Sequence, residues 1–284
     1  MKMKRRITLL GGEGFVGRNI AAYFSQEQPC LSIGKESSLF KERGDVFLSA
    51  DPYQQKIEHE SDVIIHLIDN KVPLEDFLEQ EKQLVKNIGL DARHHLVLFS
   101  SAVLYVNPAS EYGQRKQLLE EFYTEYCKIH TIPLTILRLF NTYGPYQIPY
   151  RQGSLVANLI YNHLKGKPTE INDVEAKRDF LFSEDIPKFV EHTLEHNLQG
   201  MFDIGTGKLT TIRELIAHLE NNILKQKILI VNKESKEHIP DRVARGALLE
   251  GVPMVDFDEG LARTIQFYKD NFSVFEAYVE RKEY

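Results

Sequence analysis

The chain has 284 residues, which suits one large α/β domain or one such domain with a smaller partner. Its composition is 42% hydrophobic and 27% charged, as is ordinary for a globular protein with a packed core. The formal net charge is −6 and the only basic run lies at 2–6, directly before an apolar segment. This balance argues against a nucleic-acid-binding protein.

The sequence also argues against a membrane segment, a metal site and an oxidising environment. No apolar stretch is long enough to cross a bilayer, and the run at 7–10 is too short for a signal peptide. Cys30 and Cys127 lie far apart and are expected to be reduced thiols. The pair His94-His95 is interpreted as a surface turn and not as metal ligands. We therefore expect a cytoplasmic protein without a metal.

Short apolar runs recur along the first half of the chain and lack polar alternation. Such runs predict strands that are buried on both faces of a parallel sheet. Helical patterns lie between them at 15–27, 74–91 and 110–130. The alternation predicts a doubly wound parallel (Rossmann) sheet of the α/β class. The apolar runs are 6–10, 30–33, 46–48, 63–68, 95–100 and 134–139.

After Pro145 the pattern changes to a polar loop followed by short mixed elements. We therefore predict a Rossmann domain over 1–145, with a return segment near 176–200, and a smaller mixed α/β C-terminal lobe over 146–284. The elements predicted beyond the loop are helices near 155–165, 186–197, 211–224 and 258–271, and strands near 201–204 and 228–232.

The first strand leads into a glycine-rich segment, GGEGFVG at 11–17, and then into a helix. In this context Gly11 allows a tight turn, Gly14 lets a pyrophosphate approach the backbone, and Gly17 permits close helix–strand packing. The positive end of the helix dipole then faces the phosphates. The predicted cofactor-binding residues of this segment are Gly11, Gly14, Phe15, Val16 and Gly17.

The cofactor preference depends on the end of the second strand. A carboxylate there would hold the ribose 2′-hydroxyl of NAD, but the sequence is Ser32-Ile33-Gly34-Lys35. Lys35 and Ser37 are therefore assigned to a 2′-phosphate, which favours NADP over NAD. Lys35 can equally be a solvated loop charge. Asp51, after the third strand, is placed to accept a hydrogen bond from the adenine amino group.

A tyrosine and a lysine four residues apart, Tyr112 and Lys116, share one face of the helix predicted at 110–130. A phenol is a poor base at neutral pH unless a nearby cation stabilises the phenolate. Ser101 ends the strand before this helix, where its hydroxyl can orient a reacting oxygen. The three residues form a candidate catalytic set in which Lys116 and Tyr112 also contact the cofactor. Taken singly, each is also compatible with a structural role.

At this point the sequence resembles a known family. The glycine segment, the Tyr-x-x-x-Lys pair and five further motifs are similar, in the same order, to extended short-chain dehydrogenases/reductases of the NAD(P)-dependent sugar-nucleotide epimerase/dehydratase type. The further motifs are SSAVLY (100–105), LRLFNTYGP (137–145), RDFLFSEDI (178–186), FDIGTGKLTTIREL (202–215) and EGVPMVDFDEGLARTIQFY (250–268).

The resemblance implies a nucleotide-sugar substrate and roles for several residues. Ser101 matches the catalytic Ser/Thr position, which also contacts substrate. Asn141 and Arg242 match residues that bind the substrate diphosphate. The first domain is then expected to hold NAD(P) and the C-terminal lobe to hold the substrate. The resemblance also implies a homodimer formed through the helices at 74–91 and 110–130.

Two positions depart from the family pattern. Dehydratases of this type carry an Asp-Glu pair directly after the catalytic Ser/Thr, where this chain has Ala102 and Val103. These side chains cannot transfer protons, so water elimination is not expected. A reductase and an epimerase both remain, and we favour a reductase of 4-keto-sugar nucleotides because Lys35 suits an exchangeable NADPH. The first alternative is an NAD-dependent 4-epimerase, and the second is a non-catalytic NAD(P)-sensing protein.

Overall fold

A computed structural model describes residues 5–26, 30–35, 39–40, 46–151, 153–233 and 248–281. The chain divides into two compact units. The first extends up to Leu139 and returns over Ile186–Ile204. The second consists of Phe140–Asp185 and the chain from Gly205 onward. The second unit is therefore inserted, in part, between two segments of the first.

The secondary structure alternates strands and helices in the first unit and uses shorter strands in the second. In the described residues the strands are β1 (Ile7–Leu10), β2 (Cys30–Gly34), β3 (Val46–Ser49), β4 (Val63–His66), β5 (His95–Ser101), β6 (Leu134–Leu139), β7 (Asn141–Tyr143), β8 (Thr169–Ile171), β9 (Lys177–Arg178), β10 (Phe180–Phe182), β11 (Gly200–Ile204), β12 (Thr210–Thr211) and β13 (Ile230–Asn232). Over the same residues the helices are α1 (Phe15–Phe24), α2 (Leu74–Asn87), α3 (Val103–Val106), α4 (Glu111–Ile129), α5 (Leu155–Leu164), α6 (Ile186–Glu195), α7 (Ile212–Ala217), α8 (Phe257–Asp270) and α9 (Phe272–Arg281).

The first unit is built on a parallel sheet, which the described residues form with seven strands in the order β11-β6-β5-β4-β1-β2-β3. Thr8 pairs with Leu31 on one side and with Ile64 on the other, and Thr135 pairs with Gly200 where the chain returns. The order runs outward from β1 in both directions, as in doubly wound folds. The predicted Rossmann sheet is confirmed.

The sheet is buried in its centre because β1, β4 and β5 consist almost entirely of buried residues. Helices α2 and α4 pack with it in one apolar core that includes Leu10, Ile64, Leu98 and Tyr123. The prediction of two-sided burial is wrong for β3, whose residues are mostly exposed. β3 is one of the two edge strands that the described residues form, and apolar patterning alone does not distinguish an edge strand from a central one.

The interpretation of His94-His95 as a surface turn is also wrong. Both side chains are buried, and His95 is the first residue of β5. His95 Nε2 lies 2.8 Å from Thr135 Oγ1 on the neighbouring strand β6. Because Thr135 donates its hydroxyl hydrogen to the Leu198 carbonyl, it accepts from the histidine. Both histidines therefore lie in the packed interior, at the start of β5.

The second unit is held by buried polar groups and aromatic rings. Asp179 is fully buried and accepts hydrogen bonds from the Thr206 N–H at 2.8 Å and the Gly207 N–H at 2.9 Å. The Tyr143 ring contacts Phe182 and Phe257 with centroid distances of 5.5 and 5.7 Å. The predicted helix at 211–224 is α7 followed by a π-helical segment, His218–Leu224, and α9 was not predicted.

Within the part of the chain that the structure describes, no helix is both long and apolar enough to cross a membrane.

Candidate functional site

The turn between β1 and α1 requires glycine at three positions. Gly11 has φ +81°, in the region that L side chains rarely adopt. A Cβ on Gly12 would lie 2.4 Å from Ser32 Oγ, and a Cβ on Gly17 would lie 2.5 Å from Gly12 Cα. Both distances are shorter than a van der Waals contact allows. Gly12 therefore belongs to this turn, although the sequence analysis did not single it out.

The N-terminus of α1 can accept an anion. Gly14 caps the helix with extended backbone, and among the described residues no side chain caps the amides of the first turn. The first turn, from Phe15 through Val16 to Gly17, carries no acidic residue. A Cβ on Gly14 would make only an ordinary contact, 3.4 Å from Gly11 O, so this glycine is not required by the fold. Free amides, a positive dipole end and an open backbone approach fit a dinucleotide pyrophosphate.

Lys35 does not stand alone at the end of β2. Its Nζ lies 2.9 Å from Asp51 Oδ2, which follows the neighbouring strand β3. Asp51 also accepts from the Tyr53 N–H at 3.1 Å, so its carboxylate is fixed at the start of a turn. The two residues assigned to the adenosine end of the cofactor are thus an ion pair with each other. Ser37, the third residue assigned there, lies outside the described residues.

Tyr112 and Lys116 lie on the first turns of α4. The Lys116 ammonium is 5.7 Å from the centroid of the Tyr112 ring and donates to the Phe99 carbonyl on β5 at 3.4 Å. Lys116 is buried and Tyr112 is half-buried. Ser101 ends β5, and its Oγ accepts from the Val103 N–H at 3.2 Å. The structure therefore brings tyrosine and lysine together beside the strand that Ser101 ends.

The short connection from Ser101 to Tyr112 packs against the first turn of α4. Ser110 caps α4, and its Oγ accepts from the Gly113 N–H at 3.1 Å. A Cβ on Gly113 would lie 2.5 Å from the Asn107 carbonyl oxygen. Gly113 therefore allows the connection to lie directly on the first turn that carries Tyr112.

An arginine on β6 joins several elements around this helix. Arg138 donates to both carboxylate oxygens of Glu120 on α4, at 2.9 and 2.6 Å. It also donates to the Tyr105 hydroxyl at 2.8 Å, and that hydroxyl donates to Asp203 on β11 at 2.8 Å. The hydrogen bond to Glu120, followed by the hydrogen bond to Tyr105 and the charge of Glu120, raises the pKa of Arg138 in spite of its burial. The sequence analysis missed this network, although an arginine inside the apolar run LTILRL was a usable signal.

A second buried hydrogen-bond network connects the end of β4 to α2 and α4. Ile68 N–H donates to His66 Nδ1 at 3.3 Å, so His66 Nε2 carries the proton and donates to Glu81 on α2 at 3.2 Å. The Tyr53 and Tyr123 hydroxyls donate to Glu81 at 3.0 and 2.9 Å. Burial raises the pKa of Glu81, but the hydrogen bonds outweigh burial and lower it overall. Glu81 therefore stays ionised and ties α2, α4 and β4 together.

Asn141 and Arg242 were assigned to the substrate diphosphate. Asn141 begins β7 in the second unit, and its backbone N–H donates to Asp179 O at 3.2 Å. The side-chain nitrogen of Asn141 is buried and has no hydrogen-bond partner among the described residues. A buried amide donor without a partner costs free energy, and a ligand that accepted its hydrogen bond would remove that cost. Arg242 lies outside the described residues.

Fold and site together define a class. The first unit is a Rossmann-type domain with an anion-accepting glycine turn at β1–α1 and a Ser/Tyr/Lys set at β5–α4. Residues 97–205 match the model of the family described as "NAD dependent epimerase/dehydratase family". Over these residues the chain is similar to the sugar-nucleotide epimerases and dehydratases, and the resemblance noted in its motifs is confirmed.

One curated relative is the UDP-glucose 4-epimerase of Mycolicibacterium smegmatis, which is 27% identical over 177 residues. That match covers 58% of this chain and 55% of the relative. The chain thus spans about half the length of the first curated relatives that it matches. A dTDP-glucose 4,6-dehydratase of Neisseria meningitidis matches at 26% identity over 61% of this chain and 53% of its own length.

The fold is shared with solved structures over nearly the whole chain. A Bacillus anthracis dTDP-glucose 4,6-dehydratase in complex with NAD has a TM-score of 0.79 at 21% identity, covering 96% of this chain and 99% of its own. At this identity the likeness establishes the fold and not the activity.

Proposed function

We propose that the chain is a nicotinamide-dependent oxidoreductase that acts on a hydroxyl-bearing carbon of a nucleotide-activated sugar. The observation that carries this proposal is the Lys116 ammonium held 5.7 Å from the Tyr112 ring beside the strand end at Ser101. The residue roles assigned to Ser101, Tyr112, Lys116 and Asn141 are part of the proposal. The division of labour, with cofactor on the first unit and sugar nucleotide on the second, is part of it too.

The glycine turn and the N-terminus of α1 would hold the cofactor pyrophosphate. Gly12 and Gly17 shape the turn, and Gly14 leaves room for the backbone to be approached. Asp51 would accept a hydrogen bond from the adenine, and Lys116 would reach the nicotinamide ribose. When bound, the nicotinamide accepts and returns a hydride at the sugar carbon.

The protein's own residues would handle the proton and the orientation of the hydroxyl. Ser101 donates a hydrogen bond to the sugar oxygen and fixes its position. Tyr112, as phenolate, would take the proton of the sugar hydroxyl as that carbon is oxidised to a ketone. It would return the proton to the same oxygen when the carbon is reduced again. Lys116 stabilises the phenolate, and the buried amide of Asn141 donates to the diphosphate.

Among the reactions of this family, we propose 4-epimerisation with NAD. The sequence favoured 4-keto reduction with NADPH because Lys35 was expected to meet a 2′-phosphate. In the structure Lys35 is paired with Asp51, which offsets its charge and weakens that argument. Dehydration is not proposed, because Ala102 and Val103 offer no acid or base after Ser101.

Reduction of a 4-keto-sugar nucleotide with NADPH is the second candidate. The Lys35 side chain is 66% exposed, so it can reach a ligand as well as Asp51. The strand end that carries it also has no carboxylate to repel a 2′-phosphate.

The test is to incubate the purified protein with UDP- and dTDP-hexoses and, in a second assay with NADPH, with their 4-keto derivatives, and to identify the products by mass spectrometry and NMR. Epimerisation predicts interconversion of C4 epimers without net consumption of cofactor. Reduction predicts no epimer but one NADPH oxidised for each 4-keto sugar nucleotide consumed. If neither substrate class reacts, the chain is not this enzyme, and the cofactor-sensing alternative takes its place.

We also propose a homodimer formed through α2 and α4. Their surfaces carry an apolar groove lined by Leu78, Leu118, Phe122, Tyr126 and Ile129, and Ile129 is 66% exposed. Exposed apolar surface of this kind is typical of a protein interface.

Neither cysteine is in a disulfide, which suits the reducing cytoplasm that we propose as the location.

A further inference from the structure

Three side chains follow one another along a single face of α4. Tyr112, Lys116 and Glu120 are spaced four residues apart, and this spacing places consecutive members side by side on a helix. Lys116 and Glu120 are both buried, at 7% and 6% exposure. An acid one turn from a buried lysine normally attracts it. Glu120 is therefore a competitor for the ammonium that Tyr112 needs.

The competition is not realised in the structure. Lys116 lies against the Tyr112 ring and donates to the Phe99 carbonyl, and the described part of the chain shows no ion pair between Lys116 and Glu120. Both oxygens of Glu120 accept from Arg138, through its Nε at 2.9 Å and its Nη2 at 2.6 Å. A bidentate guanidinium–carboxylate pair is among the strongest polar contacts in proteins.

Arg138 is itself held in place. Its third nitrogen donates to the Tyr105 hydroxyl at 2.8 Å, and its guanidinium carbon lies 5.0 Å from the centroid of the Tyr105 ring. The Tyr105 hydroxyl in turn donates to the buried Asp203. The Arg138 guanidinium is therefore held by Glu120 and by Tyr105, and it cannot easily release Glu120.

We propose that Arg138 is a positioning residue that occupies Glu120 and so leaves the Lys116 ammonium to Tyr112. The inference rests on the proposed function, because it gives Tyr112 and Lys116 the roles described there. Other charged groups near this face are engaged elsewhere: Glu111 pairs with Arg115 on α4, and Asp203 accepts from Tyr105.

The decisive comparison is between a single and a double variant. In Arg138→Met, Glu120 loses its partner and draws Lys116 away, so the phenolate of Tyr112 loses stabilisation. We expect Tyr112 to ionise about one pH unit higher than in the wild type. In Arg138→Met/Glu120→Gln the competitor is gone, and the ionisation midpoint returns to the wild-type position. Glu120→Gln alone causes no upward shift.

Stability alone does not separate this proposal from a merely structural role. Arg138→Met leaves a buried carboxylate unpaired and is expected to destabilise the fold, and the double variant relieves that too. The ionisation of Tyr112 makes the distinction, because its midpoint depends on whether the Lys116 ammonium lies beside the ring, whereas a loss of stability alone appears in the unfolding temperature. If Arg138→Met fails to fold, Arg138→Lys replaces it in the comparison. Lysine keeps the charge but cannot span both carboxylate oxygens, so the expected shift is smaller.

The measurement is the ultraviolet absorbance of tyrosinate against pH, taken as the difference between each protein and its counterpart carrying Tyr112→Phe. It needs neither cofactor nor substrate. Arg93→Met, which removes the same charge from an exposed site, is the control and should leave the midpoint unchanged.

The proposal is overturned if Arg138→Met leaves the midpoint in place, or if the double variant keeps the shift of the single one. The proposed function is judged separately, by whether Tyr112→Phe abolishes sugar-nucleotide turnover. The two can therefore fail independently.

Discussion

The Lys35 ammonium lies 2.9 Å from the Asp51 carboxylate, so the two charges at the proposed adenosine end of the cofactor site offset each other. We predict that Asp51→Asn frees Lys35 and raises the affinity for NADPH relative to NADH by about tenfold, the scale of one charged hydrogen bond. Fluorescence titration with both reduced cofactors measures the ratio. The control Lys56→Met, at another exposed lysine of the same unit, should not change it. A wild-type protein that already prefers NADPH tenfold would contradict this reading.

The role of Tyr112 predicts a separation between binding and turnover. Tyr112→Phe removes the proposed proton carrier but keeps the ring beside Lys116. Turnover should fall by at least about 100-fold, the scale of general acid–base catalysis, while the melting temperature and NADH affinity stay near wild type. Steady-state rates and a cofactor titration test this. Near-normal turnover in the variant would remove Tyr112 from the mechanism.

Two glycines of the turn between β1 and α1 should differ in how an added methyl group changes stability and cofactor affinity. In Gly17→Ala the new Cβ lies 2.5 Å from Gly12 Cα, so the helix must move and the free energy of unfolding should fall by about 1–3 kcal/mol. In Gly14→Ala the Cβ meets only Gly11 O at 3.4 Å, so the fold is kept while the approach of a pyrophosphate is blocked. Thermal unfolding and NADH titration of both variants give the comparison. Equal cofactor affinity in wild type and Gly14→Ala would place the pyrophosphate elsewhere.

His95 should make the fold sensitive to acid. Burial, and then the charge of Arg5, lower the pKa of His95 from 6.5 to about 4. Between pH 6.5 and about pH 4, His95 is protonated in the unfolded chain but neutral in the native state. The free energy of unfolding therefore falls as pH decreases through this window. His95→Gln should lose that part of the pH dependence in urea unfolding, whereas the control His196→Gln, at an exposed histidine, should keep it. Identical curves for all three proteins would show that His95 is not the cause.

The apolar groove on α2 and α4 predicts a change of mass in solution. A charge at the most exposed position, Ile129→Glu, should convert a dimer into a monomer, as measured by light scattering at micromolar protein concentration. The control Leu229→Glu places the same charge at another exposed apolar residue, in the second unit, and should leave the dimer intact. A monomeric wild-type protein would end the proposal.

The fold was largely predictable because the centre of a parallel sheet is apolar on both faces. The runs that became β1, β4, β5 and β6 were recognised for that reason. The edge position of β3 could not be read from its residues, because it depends on which strand has no further neighbour. The helix α9 was missed because it follows α8 with only the cap residue Asn271 between them, so there is no loop to separate the two.

The candidate site was predictable only where its chemistry is local in sequence. Tyr112 and Lys116 are one helical turn apart, and their spacing sufficed. Lys35 and Asp51 follow adjacent parallel strands, so their pairing depends on the strand order and not on the spacing. The contact between Glu120 and Arg138 joins a helix to a strand, and two charged residues that far apart in the sequence do not predict it.

The return of the chain through Ile186–Ile204 has a consequence for synthesis on the ribosome. Thr135 on β6 finds its partner in Gly200 on β11, which is made only after Phe140–Asp185 has emerged. Until then β6 presents an unpaired strand edge, a surface prone to wrong pairing. A nascent chain stalled shortly after β6 should therefore be protease-sensitive and recruit chaperones, and one stalled well past Ile204 should not.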